Sequence, residues 1–262
     1  MQFSNKIVKI WTAIVLVGAL VLSGCSAEQL KAAEVYKKTQ EASQKLDSFG
    51  MDMDMKMNMA AGTDKMDMNT AVNASIIMKP DLQMDMLMDL NMAGQQVKMQ
   101  MVLVKDGLFV KDPSNAWTQM PKEQVDLMMG SSKEQYDPSA QLDQLKQFAD
   151  DFSMTESSEA YTLKLEATGE KFKKFMQEEM KKQLASQQNM GALAENMPEF
   201  TFNKAEYVFV IDKKTFNPKE VNMVLDAEFT VEGQKVQMNI DMKATYNKFN
   251  EIKEIKLPEG AK

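Results

Sequence analysis

The chain has 262 residues, of which 31 are lysine, 38 are acidic and none is arginine or histidine, so its net charge is −7. This acidic balance disfavours nucleic acid and anionic headgroups as partners. Without histidine there is no Ser-His-Asp or Cys-His nucleophile and no imidazole metal site, and we find no glycine-rich phosphate loop or calcium loop. We therefore predict a protein that is not an enzyme and has no metal ligands, no cofactor and no nucleic-acid partner.

The N-terminus combines a basic stretch, an apolar segment and the chain's only cysteine. Lys6 and Lys9 precede a mainly apolar run at residues 10–22. That length is typical of a secretory signal and is too short for a spanning helix. The run ends in Leu22-Ser23-Gly24-Cys25, which resembles the lipobox of bacterial lipoproteins.

The lipobox resemblance implies how the chain is processed. Residues 1–24 would be a cleaved signal peptide, and Cys25 would carry covalent diacylglycerol with acyl chains such as palmitate. Two acyl chains anchor a protein stably to a bilayer. We therefore expect a lipid-anchored protein on the extracytoplasmic face of the cell membrane, with residues 25–27 as a short tether and 28–262 as a single domain.

The mature domain is predicted to begin with an amphipathic helix over about residues 28–47. One side of this helix carries Val35, Thr39, Ala42, Leu46 and Phe49. We expect that side to pack on the strands that follow.

Methionine then occupies every second position over long stretches. The alternating residues are Met51, Met53, Met55, Met57 and Met59, then Met66 and Met68, then Leu82, Met84, Met86, Met88, Leu90 and Met92. Successive side chains of a strand point to opposite faces, so a period of two indicates strands. Most intervening residues are polar, so we predict long antiparallel strands with one apolar and one solvated face.

Two segments in different halves of the chain resemble each other. Residues 94–101 (GQQVKMQM) recur as residues 233–240 (GQKVQMNI), and an alternating strand precedes each copy. Glycine supplies the positive φ that tight turns need, so both copies are predicted as hairpins that turn at Ala93-Gly94 and Glu232-Gly233. The similarity fits either an internal duplication or the ease with which alternating sequences match.

Helical patterns lie between the β-rich parts. Asp137-Pro138 opens a helix with Leu142, Leu145 and Phe148 on one side, and Pro121 opens a shorter one that passes Val125 and Met129 and stops at Gly130. A third helix, over about residues 170–186, carries Phe172, Phe175, Met176, Met180 and Leu184 on one side. We expect these sides to pack on the sheet; the alternative is a lid that lifts off a ligand.

This order of anchor, helix, strands, helical middle and strands resembles the LolA/LolB and LppX-like lipoprotein carriers. It is also similar to a group of Gram-positive lipoproteins with strands such as Ser75-Ile76-Ile77-Met78-Lys79-Pro80 and Gly107-Leu108-Phe109-Val110-Lys111. The resemblance implies an α+β fold in which a strongly curved antiparallel sheet forms an unclosed barrel around helices. Two β-rich halves, at about residues 49–120 and 152–257, would flank the helices. No site residue carries over from the resemblance.

A concave methionine face suits a hydrophobic ligand such as a lipid, because unbranched, polarisable methionine adapts to irregular shapes. The predicted cavity residues are Met53, Met55, Met57, Met86, Met88, Met99 and Met101. The alternative is that most of these methionines fill the core between sheet and helices.

Two other functions are open from the sequence. Met-x-Met clusters suit Cu(I) or Ag(I), since soft thioethers prefer soft monovalent ions. Against this, the second hairpin fills the equivalent positions with Leu225, Ala227, Phe229, Val231 and Ile240. The protein could instead be a structural or protein-interaction lipoprotein of the cell envelope, with Trp117 either anchoring a partner or capping the core beside Pro121.

Overall fold

The structure is a computed structural model in which residues 32–262 form one compact unit. The residues that it describes are 30–111, 116–123, 125, 138–167, 169–186, 198–231, 233–257 and 259–261. The predicted signal peptide, Cys25 and Asp137 lie outside these residues. So does most of the helix predicted after Pro121, of which Lys122, Glu123 and Val125 are helical.

Eleven strands form one antiparallel sheet. They are β1 (Ser48–Ala61), β2 (Asp64–Ile77), β3 (Gln83–Met92), β4 (Gln95–Val104), β5 (Gly107–Lys111), β6 (Trp117–Gln119), β7 (Ser153–Glu156), β8 (Ala160–Glu166), β9 (Thr201–Asp212), β10 (Pro218–Val231) and β11 (Gln234–Asn247). Their order is β6-β5-β4-β3-β2-β1-β11-β10-β9-β8-β7. Two meanders, β1–β6 and β7–β11, are therefore joined where β11 pairs with β1.

The sheet is curved and does not close, because β6 and β7 lie at its two ends. This confirms the predicted unclosed antiparallel sheet. Both edge strands are short, with three residues in β6 and four in β7. Short edge strands offer few unpaired backbone groups to another chain, which reduces edge-to-edge association.

The methionine alternation gives the sheet two chemically different faces. We call the face that carries the β1 methionines the inner face and the opposite one the outer face. Along β1, half-buried Met51 to Met59 alternate with the exposed residues Asp52, Asp54, Lys56 and Asn58. On the outer face, Asp52 accepts hydrogen bonds from the amide groups of Asn73 (2.5 Å) and Asn247 (3.1 Å). These polar pairs cross the junction of β2, β1 and β11.

Three α-helices and a 3₁₀ helix are described. They are α1 (Ala32–Ser43), α2 (Pro138–Leu145), the 3₁₀ helix (Lys146–Asp151) and α3 (Glu170–Ser186). The bounds of α3 agree with the prediction, and Leu142, Leu145 and Phe148 are buried as expected. None of the described helices is both long and apolar enough to span a membrane.

The prediction for α1 was wrong at both ends. The helix is shorter than residues 28–47, and Leu46 and Phe49 are buried beyond its end, with Phe49 already in β1. A tight turn closes the helix, where the Leu46 amide donates to the Ser43 carbonyl at 3.1 Å. Ser48 then pairs with Ile77 of β2, so cross-strand pairing replaces helical hydrogen bonds at this point.

The buried inner face has two zones of different composition. An aliphatic zone over β1–β5 and β11 contains Leu46, Phe49, Val72, Ala74, Ile76, Met78, Met84, Met86, Leu103, Leu108, Ala244 and Tyr246. An aromatic zone lies where the helices meet β8 and β9. There Phe172 of α3 has its ring centroid 5.9 Å from that of Phe202 and 6.1 Å from that of Tyr207. Tyr36 of α1 packs on Phe152 at 5.2 Å.

Both predicted hairpins form. Met92 pairs with Gln95 across the two-residue turn Ala93-Gly94, whose φ angles are 50° and 81°. Positive φ at both turn positions matches the twist of the flanking strands. The second hairpin joins β10 to β11, with φ 80° at Gly233.

Trp117 begins β6 and packs on a small apolar cluster of the outer face. The cluster contains the buried residues Ile77, Val102 and Ile255. Lys111 places its Nζ 5.8 Å from the Trp117 ring centroid. These contacts support the packing role for Trp117, at a different place from the core beside Pro121.

Candidate apolar binding site

A cavity of about 290 Å³ lies on the inner face within the aliphatic zone. Small-molecule pockets typically measure about 300–1,000 Å³, so this cavity is at the lower end of the size that holds a small ligand. Its lining residues are Phe49, Met51, Met53, Val72, Ile76, Met86, Met88, Pro138, Met242, Ala244 and Tyr246. They come from β1, β2, β3, β11 and the first residue of α2.

The cavity exists because small side chains flank the β1 methionines. Met53 lies between Val72 of β2 and Ala244 of β11 in the sheet register. In the next row, Met51 lies beside Ala74. Side chains directly opposite each other on neighbouring strands have Cβ atoms about 4.5–5.5 Å apart, so short neighbours leave space above the sheet. Flexible methionines can adjust to whatever fills that space.

The lining is almost free of polar groups. Its one titratable side chain is that of Tyr246, which is 9% exposed. Burial raises the pKa of Tyr246 to about 12, so the phenol is neutral at physiological pH. Nowhere in the described residues do three His, Cys, Asp or Glu side chains gather as metal ligands. The arrangement can therefore hold an apolar ligand, and the Tyr246 hydroxyl is the one lining side chain that titrates.

Three of the seven predicted cavity residues line this cavity: Met53, Met86 and Met88. The other four lie elsewhere on the same face. Met55 and Met57 lie further along β1, while Met99 and Met101 lie on β4 opposite Met88 and Met86. Met101 packs against the aliphatic core. The assignment of all seven as ligand-binding residues stays a prediction.

Sequence reasoning missed most of the other lining residues. Met51 belongs to the β1 alternation, so the same pattern could have predicted its place in the cavity. Met242, Ala244 and Tyr246 also alternate, but their place in the cavity depends on the pairing of β11 with β1. That pairing joins residues nearly 200 positions apart, and no local pattern specifies it.

The neutral lining leads to a prediction about pH. Binding of an uncharged fluorescent apolar probe should stay constant between about pH 5 and pH 9, because the raised pKa keeps Tyr246 neutral throughout this range. Fluorescence titrations at intervals across the range test this. A change of affinity within it would show that a charged group contacts the probe and would contradict the placement in this cavity.

These features define a class of protein in which an open antiparallel sheet holds an apolar cavity on its inner face. The chain belongs to a family of unknown function, DUF6612, whose model matches residues 31–262. No curated protein matches the sequence.

Two crystal structures are similar in overall architecture. The chain is similar to LprF from Mycobacterium bovis, with a TM-score of 0.41 and 9% identity over 88% of this chain and 97% of that one. It is also similar to a DUF1329 family protein from Desulfovibrio piger, with a TM-score of 0.27 and 11% identity over 82% and 92% of the two chains. At these TM-scores, neither similarity bears on function.

Proposed function

We propose that this protein is a lipid-anchored, extracytoplasmic binding protein that holds a lipid or another hydrophobic molecule in its inner-face cavity. The observation that carries the proposal is the cavity of about 290 Å³, which methionine, aliphatic and aromatic side chains line. Transfer of apolar surface from water to such a lining is favourable by about 25 cal/mol of free energy per Å². The role is one of binding, without catalysis.

The anchor rests on the sequence alone. The basic stretch, apolar run and Leu22-Ser23-Gly24-Cys25 stand in the order that lipoprotein processing requires. Diacylglycerol on Cys25 would hold the domain at the extracytoplasmic surface of the cell membrane, where lipids are available as ligands. Mass spectrometry of the N-terminal peptide tests this, and an unmodified or uncleaved Cys25 would refute it.

Native mass spectrometry of the protein, extracted mildly from its own host, tests the ligand. The expected result is a reproducible added mass that organic solvent removes and that fragments as a lipid. The extracted protein should then take up a fluorescent fatty acid. Protein that carries no such mass and takes up no fatty acid would overturn the proposal.

A protein-interaction role is the second candidate, and one feature favours it. Four of the large apolar side chains that are more than a third exposed lie on the inner face near the hairpin turns: Met66, Met92, Val97 and Val231. Exposed apolar residues grouped together are typical of contact surfaces. Protein that carries no added lipid mass in the native mass spectrometry would make the protein-interaction role the leading one.

A further inference from the structure

Four methionines of the β1–β2 hairpin lie together near its turn. Met57 pairs directly with Met68, and Met59 pairs directly with Met66. Directly opposed Cβ atoms are about 4.5–5.5 Å apart, and the two pairs are two residues, or about 7 Å, apart along the strands. We call these four residues the methionine quartet. Their thioethers therefore occupy one patch on the inner face.

One member of the quartet is more exposed than any methionine that lines the cavity. Met66 is 39% exposed, and the other three are half-buried. Its neighbours add two further thioethers, because Met92 of β3 pairs with Met68 and Met238 of β11 pairs with Met59. Met92 is itself 45% exposed. A dissolved ion can thus reach this patch without displacing the core.

We propose that the methionine quartet is a binding site for a soft monovalent cation, Cu(I) or Ag(I). Thioether sulfur prefers soft ions, and a site made of neutral thioethers gives hard divalent cations no charged oxygen to bind. Each methionine side chain has three rotatable bonds, which lets sulfurs from opposed strands converge on one ion. This site is separate from the cavity and does not depend on a hydrophobic ligand.

The register limits the sequence argument against a thioether site. That argument rested on Leu225, Ala227, Phe229, Val231 and Ile240 of the second hairpin. The first four lie on β10, which β11 separates from β1, whereas Ile240 of β11 pairs with Met57 and adds an apolar neighbour without sulfur. The quartet itself lies in the β1–β2 hairpin, which is neither of the two similar hairpins.

The β3–β4 hairpin provides a matched comparison. Met86 pairs with Met101 and Met88 pairs with Met99, which is the same register pattern as in the quartet. Met86, however, is only 4% exposed and belongs to the aliphatic core. Met88, Met99 and Met101 are half-buried, so a cation held by all four sulfurs would lie beside the buried Met86, where partial removal from water is costly. We therefore assign the ion site to the quartet, in which Met66 is exposed.

Silver titration followed by native mass spectrometry tests the proposal on the full-length chain in chloride-free buffer. The wild type should bind Ag(I), and Met57→Leu, Met59→Leu, Met66→Leu and Met68→Leu together should weaken binding roughly tenfold or more. Leucine keeps the apolar volume and removes the sulfur, so folding and fatty-acid uptake should be unchanged. Competition with a Cu(I)-specific chelator should likewise show weaker Cu(I) binding by the quadruple variant than by the wild type.

The control replaces Met86, Met88, Met99 and Met101 by leucine and should retain Ag(I) affinity within about twofold. Every variant keeps Cys25, so any silver bound at that residue contributes equally to all of them. Absence of Ag(I) binding in the wild type, or equal weakening in the two variants, would overturn the proposal. If the quadruple quartet variant fails to fold, Met59→Leu with Met66→Leu provides the milder test.

Discussion

Replacing Val72 by tryptophan should strongly weaken the uptake of an uncharged apolar probe. Val72 is 6% exposed, lies in the middle of β2 and lines the cavity next to Met53. The indole ring would occupy the space that the small neighbours of the β1 methionines leave open. We expect the affinity for the probe to fall roughly tenfold or more, which corresponds to about 1.4 kcal/mol or more. Fluorescence titration of the purified protein measures this directly.

The matched control for this substitution is Ala71→Trp. Ala71 is the preceding residue of the same strand, is exposed and faces outward, so it receives the same ring on the opposite face. Overpacking of the cavity should cost Val72→Trp about 1–3 kcal/mol of unfolding free energy, which denaturant unfolding can separate from the loss of binding. Full uptake by a folded Val72→Trp variant would show that the probe binds elsewhere.

Several strands were predictable because they carry a local signal. Along β1 and β3, alternation of methionine with polar residues gives both the strand and the face that each residue occupies. The turn at Ala93-Gly94 was predictable for the same reason, since Gly94 readily adopts positive φ; the φ of 50° at Ala93 was not, because residues with a Cβ rarely adopt that region. The long helix α3 was predictable because its apolar residues fall on one side.

The cavity was only partly predictable because it depends on contacts distant in sequence. The predicted residues Met55 and Met57 share a face with Met53, yet they lie nearer the hairpin turn. Which part of that face becomes a cavity depends on Ala244 and Tyr246 of β11. Periodicity assigns a residue to a face, but it does not give the position along the strand at which a small neighbour leaves space.

The division of the inner face explains where the space occurs. Aromatic rings from the helices fill the surface over β8 and β9, as in the packing of Phe148 on Phe172 and Phe175 at 5.8 and 5.4 Å. Over β1–β3 the side chains come mainly from the sheet itself, with Pro138 of α2 also at the cavity, and two of those beside the β1 methionines are the small residues Ala74 and Ala244. The helical rings thus fill one zone, and the cavity lies in the other.

Replacing Phe172 by alanine should be among the most destabilising single changes in the chain. Phe172 is 1% exposed, and its ring contacts those of Phe148, Phe175, Phe202 and Tyr207. Truncation would remove these contacts and leave a hole between α3 and the sheet, since surrounding structure relaxes only partially. We expect a loss of about 3–5 kcal/mol of unfolding free energy. Urea unfolding with an unchanged m-value measures it.

Phe229→Ala is the control for this loss. Phe229 is half-buried on β10 and contacts the ring of Phe200 at 4.7 Å, so its truncation should cost clearly less than that of Phe172. Because Phe172 lies in the aromatic zone, the folded Phe172→Ala protein should still take up the apolar probe with unchanged affinity. Loss of uptake by folded Phe172→Ala protein would mean that the two zones are coupled, and that α3 acts on the cavity as well as on stability.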